Sequence, residues 1–98
     1  MLIRIIEENQ NLVAICDSDL IGKKFEEGIF QLDVKESFFK EDKVSEEEAV
    51  KIMRDFSKED ATFNIVGEKS ISIALKTGII SKDGIKKIQG IPFAMVLM

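Results

Sequence analysis

Histidine, tryptophan and tyrosine are absent from this chain, cysteine and proline occur once each, and no apolar run is long enough to span a bilayer. Each absence removes a class of function. Without histidine there is no Ser-His-Asp or Cys-His nucleophilic system, no imidazole general base and no imidazole metal ligand. A lone cysteine, Cys16, builds neither a zinc finger nor an iron–sulfur site. It forms no intramolecular disulfide either, which points to a reducing compartment. Its neighbours Val13, Ala14 and Ile15 are apolar, so Cys16 is read as an inert core thiol. A membrane-spanning helix needs about 20 apolar residues. The apolar start Met1–Ile6 stops at Glu7-Glu8 with no small-residue cleavage site after it, unlike a signal peptide. The expectation is a soluble cytoplasmic protein with no cofactor and no metal.

What is present fits one folded domain over residues 1–98. Apolar residues make up 45% and charged residues 33%, a globular balance rather than a disordered one. Enrichment in Glu and Lys with little Cys is also the bias of proteins from hot environments. The charge is uneven. Residues 1–49 carry 6 basic against 13 acidic side chains, a balance of −7, and residues 50–98 carry 8 against 5, a balance of +3. The net −4 opposes non-specific nucleic-acid binding, while the second half leaves room for a local basic patch.

The pattern along the chain is that of strands first, then helices, then strand again. Leu2–Ile6 and Leu12–Cys16, joined by the turn chemistry of Glu7-Glu8-Asn9-Gln10-Asn11, read as an opening hairpin. A short helical turn is expected from Asp17-Ser18-Asp19 through Leu20 and Ile21 towards Phe25, followed by a strand over 29–34. Phe38-Phe39 reads as a linker covering a core edge rather than a stacking platform for bases. Ser45-Glu46-Glu47-Glu48 has the form of a capping box, and Ala49, Ile52, Met53 and Phe56 lie on one face of a helix over about 46–57. Residues 67–77 alternate in a way that suits a strand, yet Gly67 and Gly78 bracket a helical length, and a helix is expected there. Residues 85–88 and 93–97 read as short closing strands around the bend at Gly90-Ile91-Pro92. Together these give an α+β two-layer sandwich, a mainly antiparallel sheet with helices on one face.

Two apparent motifs fail on spacing. Gly67-Glu68-Lys69-Ser70 lacks the upstream glycine of a phosphate-binding loop, and Asp17-Ser18-Asp19 lacks the bidentate glutamate of a calcium loop, with Gly28 in its place. The paired carboxylates elsewhere read as solvated surface. The stretch Thr62–Gly67 is more specific. Either Thr62, Asn64, Gly67 and the amides of the following helix start hold an anion such as phosphate, or Thr62 and Asn64 satisfy a turn and Gly67 permits close packing. Lys69, Lys86 and Lys87 complete the candidate binding residues, for nucleic acid or an anionic ligand.

Several segments together resemble a small archaeal family of unknown function, number 424 in the uncharacterised-domain series. They are Cys16-Asp17 with Leu20-Ile21-Gly22-Lys23, Phe25, Gly28 and Phe38-Phe39, then Thr62, Asn64, Val66-Gly67-Glu68 and Gly78, then Gly90-Ile91-Pro92 with Ala94. The resemblance implies a two-layer α/β sandwich and a loose association with translation. The family tends to have a histidine after the proline of the last segment, where this chain has Phe93. A chemistry requiring that histidine is therefore in doubt here. The functional expectation is a non-catalytic accessory module that associates with RNA or the ribosome, with a translation-related protein as the other partner class. The alternatives are a protein-binding regulatory or structural domain, and a domain binding a small anion through Thr62–Gly67.

Overall fold

The computed structural model describes residues 1–97. The opening hairpin forms as expected, β1 (Leu2–Glu7) against β2 (Asn11–Cys16), paired from Leu2↔Cys16 to Glu7↔Asn11. A 3-10 turn over Ser18–Leu20 follows and does not extend towards Phe25. Instead Phe25 lies in β3 (Lys24–Glu27), which pairs with β4 (Phe30–Asp33) in a second hairpin. The expected strand over 29–34 is thus the return arm of that hairpin. The Phe38-Phe39 segment is one helical turn, α1 (Glu36–Phe39), and β5 (Asp42–Lys43) pairs with the first residues of β1.

The rest of the chain supplies α2 (Glu46–Ser57), β6 (Ala61–Val66), α3 (Glu68–Lys76), β7 (Lys86–Ile88) and β8 (Ile91–Leu97). The main sheet runs β5-β1-β2-β6-β8-β7, and every neighbouring pair is antiparallel except β2 with β6. The fold class is the α+β class expected, with a mainly antiparallel sheet. β6 is the main element the sequence reading passed over. Thr62–Gly67 reads as an anion-holding stretch or a turn, yet Ala61, Phe63 and Ile65 are buried while Thr62 and Asn64 are only half-buried. That period of two is the signature of a strand, and this one sits at the centre of the sheet.

Alternation divides the sheet into two faces, each with its own core. On one face Ile3, Val13, Ile15, Phe63, Ile65 and Ala94 meet α2 and α3 through Ala49, Met53, Ile71 and Ala74. On the other, Leu2, Ala14, Cys16 and Val66 are covered by Leu20, Val34 and Phe39 from the segment around the β3–β4 hairpin and α1. Both long helices pack on one face, as the sandwich requires, and the second face is covered only in part.

The helix ends follow their sequence signals. Ser45 Oγ accepts from the Glu48 amide at 3.1 Å and the Ser45 amide donates to Glu48 Oε1 at 3.2 Å, the expected capping box. α3 closes on Gly78, whose φ of 78° lets its amide reach Leu75 O while the Ile79 amide reaches Ala74 O. This pair of bonds satisfies carbonyls that a helix end otherwise leaves open. Among the described residues no helix is long and apolar enough to cross a membrane.

Candidate functional site

The parallel strands β2 and β6 end side by side at Cys16↔Val66, and the chain leaves them through Asp17 and Gly67. The Asp17 amide donates to Val66 O at 3.0 Å, and the Gly67 amide donates to Pro92 O at 2.8 Å. Three segments far apart in sequence therefore meet at one joint: Cys16-Asp17, Val66-Gly67-Glu68 and Gly90-Ile91-Pro92. A cleft of about 530 Å³ opens there, lined by Asp17, Ser18, Asp19, Gly67, Glu68, Lys69 and Pro92 among others.

Asp17 is 6% exposed and its carboxylate is fully engaged. Oδ2 accepts from the Lys69 amide at 3.0 Å, and Oδ1 accepts from the Ser70 amide and Ser70 Oγ, both at 2.8 Å. These are the orphan donors of the first turn of α3, so a side chain fifty residues upstream acts as the cap that Gly67 cannot supply. The negative charge also lies at the positive end of the helix dipole. Gly67 has φ 107°, and a Cβ there would collide with the Asp17 carboxylate. Glycine is needed twice over, for the backbone conformation and for the close approach.

This arrangement speaks against the anion pocket and for the alternative in which Gly67 permits close packing. The amides of Lys69 and Ser70 are committed to a carboxylate, which repels a phosphate from the place where the helix start would have held one. Thr62 lies at the opposite end of β6, roughly 16 Å from Gly67 at strand rise. It borders a separate depression of about 480 Å³ with Asn9, Asn11 and Glu59. Asn64 sits mid-strand, between Ala14 and Met95, on the face opposite the long helices. Among the described residues, Thr62 and Gly67 line separate depressions, and Asn64 borders neither.

The lysines are redistributed as well. Lys86 is opposite Phe93 and Lys87 opposite Pro92. Successive strand residues point to opposite faces, so the two exposed side chains diverge instead of forming one patch. Lys87 borders a groove with Glu68, Ile71 and Pro92, while Lys69 lines the cleft on the other side of Glu68 and Pro92. The structure brings Gly67, Lys69 and Lys87 around one rim and leaves Thr62, Asn64 and Lys86 elsewhere. Phe93 packs half-buried against the second core.

The remaining ionisable candidate is Cys16. It is fully buried, and burial, followed by the nearby charge of Asp17, pushes its thiol up from the ordinary 9.0 to about 12. Desolvation disfavours the thiolate, so Cys16 is a poor nucleophile at neutral pH. Among the described residues no cluster of His, Cys, Asp or Glu is disposed to hold a metal ion.

A second surface escaped the sequence reading. β8 pairs with β6 along its length from Phe93 to Leu97, but β7 covers its other edge only at 91–93. Beyond Phe93, no strand among the described residues pairs with that edge, and Met95 and Leu97 are 70% and 79% exposed on the half-covered face. The available signal was the uncharged run Phe93–Leu97 following a strand of only three residues.

The family model described as "Protein of unknown function (DUF424)" matches residues 6–98. The crystal structure of an uncharacterized conserved protein from Methanopyrus kandleri is similar in fold, with a TM-score of 0.85 and 22% identity. The similarity covers 98% of this chain and 89% of that one. No curated protein matches the chain.

Proposed function

The chain belongs to the DUF424 family of proteins of unknown function, and from that premise we propose that it is a non-catalytic, protein-binding accessory module. The partner engages the open edge of β8 and covers Met95 and Leu97. One observation carries this reading: an uncharged strand edge with two large apolar side chains exposed beside it. Strand edges in native proteins are usually guarded by charge, proline or a covering segment, and a bare apolar one serves as a template for an added strand. The cleft at Asp17 supports the non-catalytic part, since its buried carboxylate is spent on capping α3 and the neighbouring thiol is held protonated. The reading covers residues 1–98 as one domain. Its cytoplasmic setting is supported by the unpaired Cys16, and an archaeal one by the Methanopyrus kandleri protein.

Association with RNA or the ribosome is the second reading, favoured by Lys69 and Lys87 flanking the Glu68–Pro92 rim from separate elements. The two are separated by affinity purification from the native organism with and without nuclease. A protein partner that survives nuclease and is lost with Met95→Lys supports the first. Nuclease-sensitive recovery that weakens with salt and with Lys69→Glu/Lys87→Glu, but not with Met95→Lys, replaces it with the second.

A further inference from the structure

We propose that the strand added at β8 is the β8 of a second copy of this chain, the two running antiparallel about a two-fold axis through Val96. This rests on the reading of β8 as a docking edge and names its occupant. The hydrogen-bonding direction of each β8 residue follows from a single bond. Pro92 O accepts from the Gly67 amide on the β6 side. Residues alternate along a strand, so Ala94 and Val96 also turn their backbone groups towards β6. Met95 and Leu97 then turn theirs the other way, past the end of β7, which stops pairing at Phe93. Four main-chain groups, the N–H and C=O of Met95 and of Leu97, thus face outward, and among the described residues no strand pairs with them.

Two identical edges satisfy these groups in one register. A two-fold perpendicular to the sheet keeps the helices of both copies on the same side. Residues directly opposite one another must then share a face, so the axis passes through a residue and not between two. With the axis at Met95, Phe93 would face Leu97 of the second copy, but the outward groups of Phe93 already belong to its pairing with Lys86. With the axis at Val96, Met95 of each copy faces Leu97 of the other. That pairing forms four main-chain hydrogen bonds and sets the exposed Met95 and Leu97 side chains together as cross-strand apolar pairs.

Charge selects this edge over the other bare one. No side chain of Ala94–Leu97 is charged, so the residues paired about the axis bring no like-charged side chains together. On the opposite margin of the sheet, β5 covers only Leu2 and Ile3 of β1. The open part of β1 there carries Arg4 and Glu7, and Arg4 reaches the Ser37 carbonyl of α1. That edge is guarded and β8 is not. The contact is small, which fits a reversible dimer that dissociates on dilution and not an obligate one.

The test uses the full chain in sedimentation velocity over a concentration series. The expected result for the wild type is a monomer–dimer equilibrium. Met95→Pro removes an amide that bonds nothing within the monomer, so it should raise the dissociation constant at least tenfold with unchanged circular dichroism. Met95→Lys gives the same reading if the proline variant does not fold. Val96→Cys should cross-link to itself under mild oxidation, because a non-hydrogen-bonded pair holds its Cα atoms at disulfide distance. Leu97→Cys, lying opposite Met95, should cross-link far less. A wild type that is monomeric at every concentration overturns the proposal, as does a dimer indifferent to both Met95 variants. In either case, a protein partner lost with Met95→Lys would leave the docking edge standing with a different occupant. No Met95-dependent partner at all would remove both readings.

Discussion

Asp17 brings a charge into the interior and is stabilised there by three hydrogen bonds to the start of a helix remote in sequence. Its loss leaves two amides and a buried hydroxyl without partners. Asp17→Ala should destabilise the protein by about 3 kcal/mol in chemical denaturation, beyond the ~0.5–2 kcal/mol of a lost cap because buried donors are orphaned as well. Gly67→Ala should be destabilising alone, and its cost should shrink in the Asp17→Ala background, where the colliding carboxylate is gone. A double-mutant cycle with no coupling would mean that the two residues act independently. Cys16 yields a pH prediction. Its thiol ionises near 9.0 when free and near 12 in the fold. Between those values the unfolded chain has lost a proton that the native state keeps, so stability falls as pH rises through this window. Cys16→Ala should show a shallower decline over the same range, and native Cys16 should resist thiol reagents at neutral pH. The identity of Cys16 as a core thiol was legible from its neighbours. The role of Asp17 was not, because a cap supplied across fifty residues leaves no local spacing to read.

At the scale of elements, α2 was the most legible, since its capping box and apolar stripe are local. Ser45→Ala should cost about 1 kcal/mol and Ser45→Asp close to nothing. The stripe itself is graded in the structure. Ala49 and Met53 are wholly buried, while Ile52 and Phe56 are half-buried at its margin. Met53→Ala should therefore cost about 2–5 kcal/mol and more than Ile52→Ala, with Glu47→Ala within about 0.5 kcal/mol of wild type. Thermal or urea denaturation that ranks Ile52 above Met53 would mean α2 is rotated from the position described. β6 was illegible for a specific reason. Its polar residues, Thr62 and Asn64, belong to the half-covered face, so the segment lacks the continuous apolar character expected of a central strand. The same uncovered face explains why Met95 and Leu97, apolar residues of the expected closing strand, are exposed.

At the scale of the whole molecule, the two halves of the sequence keep to two sides of one sheet: β5, β1 and β2 come from the acidic half, β6, β8 and β7 from the basic half, and they meet at the central β2–β6 pair. Lys86 and Lys87 were adjacent in sequence and diverge in space for the same reason that any strand alternates. The fold class was readable because it depends on the order of element types, whereas the candidate site depends on which strands become neighbours. That pairing has a temporal side. Asn11 meets Ala61 and Cys16 meets Val66, partners separated by fifty positions, so closing the sheet must wait for a large loop to be spanned. Contacts of such separation slow folding. As the chain emerges during synthesis, β2 stands with a naked edge until Ala61–Val66 arrives and is then flanked by β8. A fragment ending at residue 57 should hold no stable sheet and should self-associate, seen as loss of cooperative unfolding and as light scattering. The unguarded edge that the finished protein keeps at β8 thus has a more central counterpart at β2, which exists only while the chain is incomplete.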